Sequence, residues 1–140
     1  MSKITRIVII LALAAILLGA CGPAPTPPSA GIANPASKNC VEKGGTLTIQ
    51  KRGDGGEYGI CVFEENRQCE EWAMMRGECP EGGVKITGYI TIAAQYCAIT
   101  GGEYAVTGNS GDIEKEQGTC TFKDGKSCDV WDYFNGKCEK

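Results

Sequence analysis

The chain has 140 residues, which is the size of one ordinary domain or of two very small ones. It contains nine cysteines and no histidine, so the commonest general base and metal ligand is missing, whereas the cysteine content favours an oxidising compartment. The formal net charge of −3 provides no basic surface, and we expect no nucleic-acid partner.

The N-terminus has the layout of an export signal. Lys3 and Arg6 precede the apolar stretch Ile7–Leu18, which is followed by two small residues and Cys21. This order predicts a signal peptide over residues 1–20, and the apolar stretch is shorter than the roughly 20 residues that span a bilayer. The alternatives are a plain secretory signal and a short anchor helix that stays attached.

The tetrapeptide LGAC, which ends at Cys21, resembles the lipobox of bacterial lipoproteins. The resemblance implies that Cys21 becomes the first residue, carries a diacylglyceryl (palmitate-type) lipid and has an acylated amine. Two or more acyl chains hold a protein stably on a membrane. Residues 21–33 are rich in proline and uncharged, and are predicted to be a spacer. We therefore expect a lipid-anchored protein of the cell envelope, on the cell surface or the outer membrane.

The remainder of the chain repeats itself. The stretches Cys61–Cys79 and Cys120–Cys138 both have cysteines at places 1, 9 and 19, a Phe at place 3, a Trp at place 12 and a Gly at place 17. Cys40 and Cys97 precede them at similar distances. The spacing predicts two tandem copies of one small module.

We place the first module at residues 34–80, a linker at residues 81–89 and the second module at residues 90–140. The predicted fold class is small, disulfide-rich α+β, with each module built from a short helix, a β-hairpin and a second short helix. Capping residues and turn signals give these elements: helices Pro35–Lys43 and Cys69–Arg76 and strands Thr46–Gln50 and Tyr58–Phe63 in the first module, and a helix around Cys97, a hairpin around Gly108–Gly111 and a helix Cys128–Asn135 in the second.

A module of about 47 residues buries too little apolar surface to be stable without cross-links. We predict two disulfides within each module, which leaves Cys21 for the lipid. Structural zinc sites favour cysteines two to four residues apart, whereas the gaps here are 8, 10 and more than 20. We therefore expect no metal and no cofactor. The disulfide cysteines are Cys40, Cys61, Cys69, Cys79, Cys97, Cys120, Cys128 and Cys138.

The predicted pairing follows from the predicted elements. A helix that opens at Cys69 places Cys79 more than about 10 Å away, beyond the reach of a disulfide. A two-residue turn at Asp124-Gly125 pairs Thr121 with Cys128, so that Cys120 and Cys128 face opposite sides of the hairpin. What remains is a crossed pattern: Cys40–Cys69 with Cys61–Cys79, and Cys97–Cys128 with Cys120–Cys138.

The segments NPASKNCVEKGG, GICVF and CEEWAMMRGEC resemble the DUF333 family, a module of exported bacterial and archaeal proteins that often carries the label of a hemolysin. The resemblance is close over residues 34–79 and looser over residues 91–138. In the second stretch the Asn-Pro opening is absent and Asn135 stands where Arg76 does. The family implies a secreted protein of tandem or single modules and no particular mechanism.

We interpret Trp72 and Trp131 as the main core residues of their modules, because each module has few other large apolar side chains. The residues that follow them cannot all be buried on so short a helix and are the predicted contact surface. They are Met74, Met75, Tyr133 and Phe134.

The acidic residues form no recognisable catalytic pair. Glu70 and Asp129 are predicted to stabilise helix N-termini, since each precedes a short helix. Asp112, Glu114 and Glu116 alternate and lie on a solvated edge strand, with a weak calcium site as the alternative. We expect no catalytic residue, and no enzyme.

Three functions fit these observations. The favoured one is a non-enzymatic binding module, held on the membrane through its lipid, whose partner is a protein or another envelope component. The first alternative is a protease inhibitor, by analogy with Kazal-type inhibitors. The second is a cytolysin, as the family label suggests, although the mature part of the chain is acidic and has no long apolar segment.

Overall fold

Each repeat folds as a helix, three antiparallel strands and a short second helix, in the same order. The computed structural model describes residues 34–108 and 116–140, all within one compact unit. The predicted signal peptide, Cys21, the spacer, the calcium candidates Asp112 and Glu114, and part of the second hairpin lie outside the described residues. The elements are α1 (Pro35–Glu42), β1 (Thr46–Lys51), β2 (Glu57–Phe63), β3 (Arg67–Glu70), α2 (Glu71–Met75), β4 (Val84–Lys85), α3 (Ile92–Ile99), β5 (Glu103–Gly108), β6 (Gln117–Thr121), β7 (Ser127–Asp129) and α4 (Val130–Phe134).

The predicted small α+β fold in two repeat-like halves is confirmed, with one strand more per repeat than predicted. The sheet of the first repeat has the order β1-β2-β3-β4, and that of the second has the order β5-β6-β7. The segment that the sequence assigned to the start of a helix at Cys69 is strand β3, and the helix begins only at Glu71. The linker also packs, because β4 pairs with β3 and Ile86 is buried.

All eight predicted cysteines form disulfides within their own repeat, but the crossed pairing is wrong. The bonds are Cys40–Cys61, Cys69–Cys79, Cys97–Cys120 and Cys128–Cys138. In the first repeat, the helix between Cys69 and Cys79 has only five residues, and Gly77 then turns the chain back at a φ of 72°. The two Cα atoms are therefore 5.9 Å apart, well within reach of a disulfide.

The second error concerns the register of the hairpin between β6 and β7. Phe122 donates to the carbonyl of Lys126, so the loop has three residues rather than the predicted two. One extra residue moves every following side chain to the other face of the strand. Cys120 consequently lies directly opposite Cys128, as Cys61 lies opposite Cys69 in the first repeat. The two cysteines that lie opposite each other point to the same face of the sheet, but they do not bond to each other. The one on the central strand bonds to the first helix of its repeat, and the other bonds to the cysteine that follows the second helix.

A glycine lies against the first disulfide of each repeat. An added Cβ on Gly45 would stand 2.2 Å from Cys61 Sγ, and one on Gly102 would stand 2.3 Å from Cys120 Sγ. Real Cβ atoms do not approach that closely, so only glycine leaves room for the bond that ties each helix to its sheet. The Gly-Gly pair in each repeat thus ends the helix and admits the disulfide.

The two repeats share one hydrophobic core, in which the sheet of the first repeat packs on the helices of the second. Along β2, Cys61 faces the helices of its own repeat, whereas Tyr58 and Ile60 face the second repeat. The ring of Tyr58 lies 5.0 Å from that of Tyr96 in an edge-to-face arrangement. The ring centroid of Tyr96 in turn lies 5.0 Å from that of Tyr133. The repeats are therefore stacked one on the other.

The sequence difference between the repeats explains why they stack in this order. Tyr58, Ile60 and Val62 on β2 correspond, by the shared cysteine frame, to Gln117, Thr119 and Thr121 on β6. The first set packs against the shared core, whereas the second set lies on the face of β6 opposite Cys120, away from that core. Repeat stacks of other folds likewise end in polar faces.

Candidate functional site: the outer face of the first repeat

Trp72 is exposed, contrary to its prediction as the main core residue. Its side chain retains 40% of its accessible surface, and its neighbour in sequence, Glu71, takes the inward position instead. Glu70 caps α2 by accepting from the amides of Trp72 and Ala73 at 3.1 and 2.7 Å. With the start of α2 fixed by this cap, the carboxylate of Glu71 points into the repeat and the indole of Trp72 points to its surface.

The buried carboxylate of Glu71 connects the two helices of the first repeat. It accepts a hydrogen bond of 2.8 Å from Asn34 Nδ2 and one of 2.6 Å from Ser37 Oγ. Asn34 also caps α1 by accepting from the amide of Ala36 at 2.9 Å. The Asn-Pro opening of the repeat is thus a structural device that fixes α1 against α2. In the second repeat, Val130 replaces Glu71 and is fully buried.

Four apolar side chains line the outer face that these helices share with β1. Val41 on α1 and Ile49 on β1 keep 63% and 57% of their surface exposed. Trp72 on α2 borders the same opening as Ile49, and the half-buried Leu47 borders the same opening as Val41. Two openings lie along this face. One of about 480 Å³ lies beside Leu47 and Val41, and one of about 300 Å³ lies beside Ile49 and Trp72. We call these four side chains and the two openings the outer face.

The predicted contact surface is mostly wrong. Met74, Tyr133 and Phe134 are buried, and only Met75 is exposed. Met74 packs on the disulfides of the first repeat, whereas Tyr133 and Phe134 fill the core between the repeats. The sequence signal for the exposed face that the structure shows instead is the alternation of Leu47 and Ile49 along the predicted strand Thr46–Gln50.

Strand β1 lies at the edge of its sheet and is regular over its full length. It pairs with β2 without interruption from Thr46 to Lys51. The hairpin is closed by a hydrogen bond of 2.8 Å from Arg52 N to the carbonyl of Gly56. Because bonded pairs alternate along antiparallel strands, the backbone groups of Leu47, Ile49 and Lys51 point away from β2. Among residues 34–108 and 116–140 they have no hydrogen-bond partner.

The equivalent strand of the second repeat differs at this edge. Val106 occupies the position of Ile49 and is exposed to the same extent, 55%. The pairing of β5 with β6 is interrupted between Val106 and Gly108 by a bulge, and bulges twist an edge away from further pairing. Trp131 is half-buried, and its Nε1 donates to the carbonyl of Glu116 at 2.9 Å. The first repeat therefore has the more accessible edge and indole.

A polar cleft of about 320 Å³ lies where the two repeats meet. Its cations are already paired: Arg52 with Asp54 at 2.7 Å, and Arg76 with Glu78 at 2.9 Å. Lys140 also bonds to Glu78. The guanidinium of Arg76 lowers the pKa of Glu78 to about 2. Because its charges neutralise one another, this cleft serves to join the repeats and is a weaker candidate for a ligand site than the outer face.

The buried acidic residues have structural partners. The predicted capping role of Glu70 and Asp129 is confirmed, since Asp129 accepts from the amides of Trp131 and Asp132. Burial raises the pKa of Glu70. Glu116 is buried and accepts from the hydroxyl of Tyr104 at 2.7 Å. Within the part of the chain that the structure describes, no group of three metal-ligating side chains exists.

The described segments also contain no helix that is both long and apolar enough to cross a bilayer. The four disulfides are typical of proteins outside the reducing cytosol, in the periplasm or the extracellular space.

Comparison with known proteins places both repeats in one family. The model of a domain of unknown function, DUF333, matches residues 31–78 and again residues 91–137. The uncharacterized protein YoaF of Escherichia coli K12 is 42% identical over 59 residues, which are 42% of this chain and 69% of YoaF. The uncharacterized protein YdbJ of the same strain is 28% identical over 76 residues, which are 47% of this chain and 86% of YdbJ. No solved structure matches the chain. The chain belongs to the DUF333 family and carries two tandem copies of its domain.

Proposed function

We propose that the protein is a non-enzymatic binding module of the cell envelope, held on a membrane by lipid on Cys21, and that it binds its partner through the outer face. The observation that carries this proposal is the exposure of Trp72 beside Ile49, with Val41 exposed beside Leu47 on the same side of β1. Contiguous exposed apolar side chains on a soluble domain are typical of interaction sites, and tryptophan is enriched among the residues that dominate binding energy.

The rest of the molecule supports the assignment. The first repeat has disulfides, a buried carboxylate and a shared core that hold α1, α2 and β1 in fixed positions. A rigid scaffold loses little conformational entropy when its surface binds a partner. Among the described acidic residues, Glu70 accepts hydrogen bonds as a helix cap and Glu116 accepts one as a buried side chain. A binding role needs only the surface that the fold already presents.

The test is capture from the native envelope by the lipid-free chain with its disulfides intact. We expect one or a few components to be retained, and Trp72→Ala to weaken retention at least tenfold, because a central interface tryptophan typically contributes 2 kcal/mol or more. Val106→Ala is the control, since Val106 is also an exposed apolar residue, at 55% against 40% for Trp72, but lies on the second repeat. Equal capture by both variants and the parent chain would exclude the outer face as the site.

A further inference from the structure

We propose that the edge of β1 accepts an extended peptide segment of another envelope protein, which adds as a fifth strand to the sheet of the first repeat. This inference rests on the proposed binding function and specifies its partner as a protein segment. It names the recognition mode: main-chain hydrogen bonds to β1 with side chains of alternate residues in the two openings of the outer face.

The backbone of β1 presents a regular outer edge to an added strand. The outward groups are those of Leu47, Ile49 and Lys51, and they lie on a strand that is six residues long and free of bulges. Natural proteins usually protect such an edge with a bulge, a proline or inward charges. The edge of β5 has its bulge, whereas the edge of β1 has only Lys51 at its end.

The two openings are spaced as alternate side chains of an added strand would be. One borders Leu47 and the other borders Ile49, two residues further along the same strand. Leu47 and Ile49 point to the same side of the sheet, and residues i and i+2 of a strand are about 7 Å apart. A peptide paired with β1 would therefore direct every second side chain to this side, one toward Val41 and the next toward Trp72.

The chemistry of the openings determines which peptide fits. The opening beside Leu47 is lined by Val41 and by the polar residues Asn34, Ser37, Lys38 and Glu42, and the one beside Ile49 is lined by Trp72, Tyr58 and the acidic residues Glu57, Glu70 and Glu71. Each opening has one apolar wall that suits an apolar or aromatic side chain, formed by Val41 with Leu47 in the first and by Trp72 with Ile49 in the second. The carboxylate of Glu71 within the second opening is already bonded to Asn34 and Ser37. The preferred segment is therefore extended, free of proline and apolar at alternate positions.

The experiment selects binders for the full chain, extracted in mild detergent, from a phage-displayed library of random dodecapeptides. We expect the selected peptides to show alternating apolar residues, and to lose at least tenfold in affinity when their alternate backbone amides are N-methylated. Ile49→Pro removes an outward amide without touching the bonds to β2, and should weaken the same peptides by a similar factor.

Two further variants make the result decisive. Ile49→Lys keeps the strand and its fold, because the side chain is already exposed, and should also weaken binding, since a lysine on an edge opposes strand addition. Val106→Lys is its matched control and should leave binding unchanged. The exchange of the β2 amides reports whether each variant keeps its sheet.

The outcomes separate this inference from the function on which it rests. Peptides that bind Ile49→Pro and Ile49→Lys as well as the parent chain overturn strand addition. A library that yields no binder, while envelope capture still depends on Trp72, also overturns strand addition but leaves the binding function standing. Envelope capture that does not depend on Trp72 refutes the proposed function itself.

Discussion

Replacing Ile60 with threonine should destabilise the whole chain, because Ile60 lies in the core that the two repeats share. The side chain is 3% exposed on the face of β2 that packs against the second repeat. The change removes two carbons, at about 0.8 kcal/mol each by transfer, and buries a hydroxyl at a cost of roughly 1–3 kcal/mol if it is unpaired. We expect a loss of about 3 kcal/mol in the free energy of unfolding.

The matched control is Thr119→Ile, which makes the reverse exchange at the equivalent position of the second repeat. Thr119 lies half-buried on the face of β6 that points away from the shared core, so the change should stay within about 0.5 kcal/mol. Urea unfolding of the lipid-free, disulfide-intact chain measures both. We expect a single transition for each protein, because the repeats share one core. Two separate transitions, or equal effects of the two substitutions, would refute the stacking of the repeats.

Three other predictions concern single groups. Burial and the neighbouring Tyr96 raise the pKa of Tyr58 to about 12, so the stability that this phenol provides is intact below its unfolded pKa of about 10 and is lost as the pH rises through 12. The loss of stability between pH 9 and 12, measured by alkaline unfolding, should therefore be less steep for Tyr58→Phe. An unchanged profile would contradict the assignment. Cys138 is half-buried while the other seven disulfide cysteines are buried, so graded reduction followed by alkylation and mass spectrometry should open Cys128–Cys138 first, and earlier alkylation of another pair would be inconsistent with this order. Cys21→Ser should release the protein from membranes as an unprocessed precursor in fractionation, and a variant that is processed and stays bound would rule out lipidation.

Periodicity and spacing predicted the features that depend on local chemistry. The tandem frame, the first helix from Pro35, the strands of the first hairpin and the confinement of disulfides to each repeat all follow from caps, turns and cysteine counts. The disulfide pairing did not follow, since it depends on two features of the chain that differ by one or two residues from their predictions. These are the start of α2 and the length of the loop before β7.

The outer face was missed for a different reason. A tryptophan on a small module favours burial on average, and the sequence contains no sign that Glu71 competes for the inward position. That competition is decided by Asn34 and Ser37, which are more than 30 residues away in sequence. Similarly, Tyr133 and Phe134 pack on Tyr96 of their own repeat, within a core that also contains Tyr58 and Ile60 of the first repeat, and the residue pattern of one module does not reveal this shared core.

Site-specific photo-cross-linking in intact cells tests the binding role of the outer face most directly. A benzophenone side chain is placed at position 49 in one strain and at position 106 in another, two equivalent strand positions with exposures of 57% and 55%. The account predicts a discrete adduct with a partner protein at position 49, and none at position 106. No adduct at position 49, or the same adduct at both positions, would contradict it.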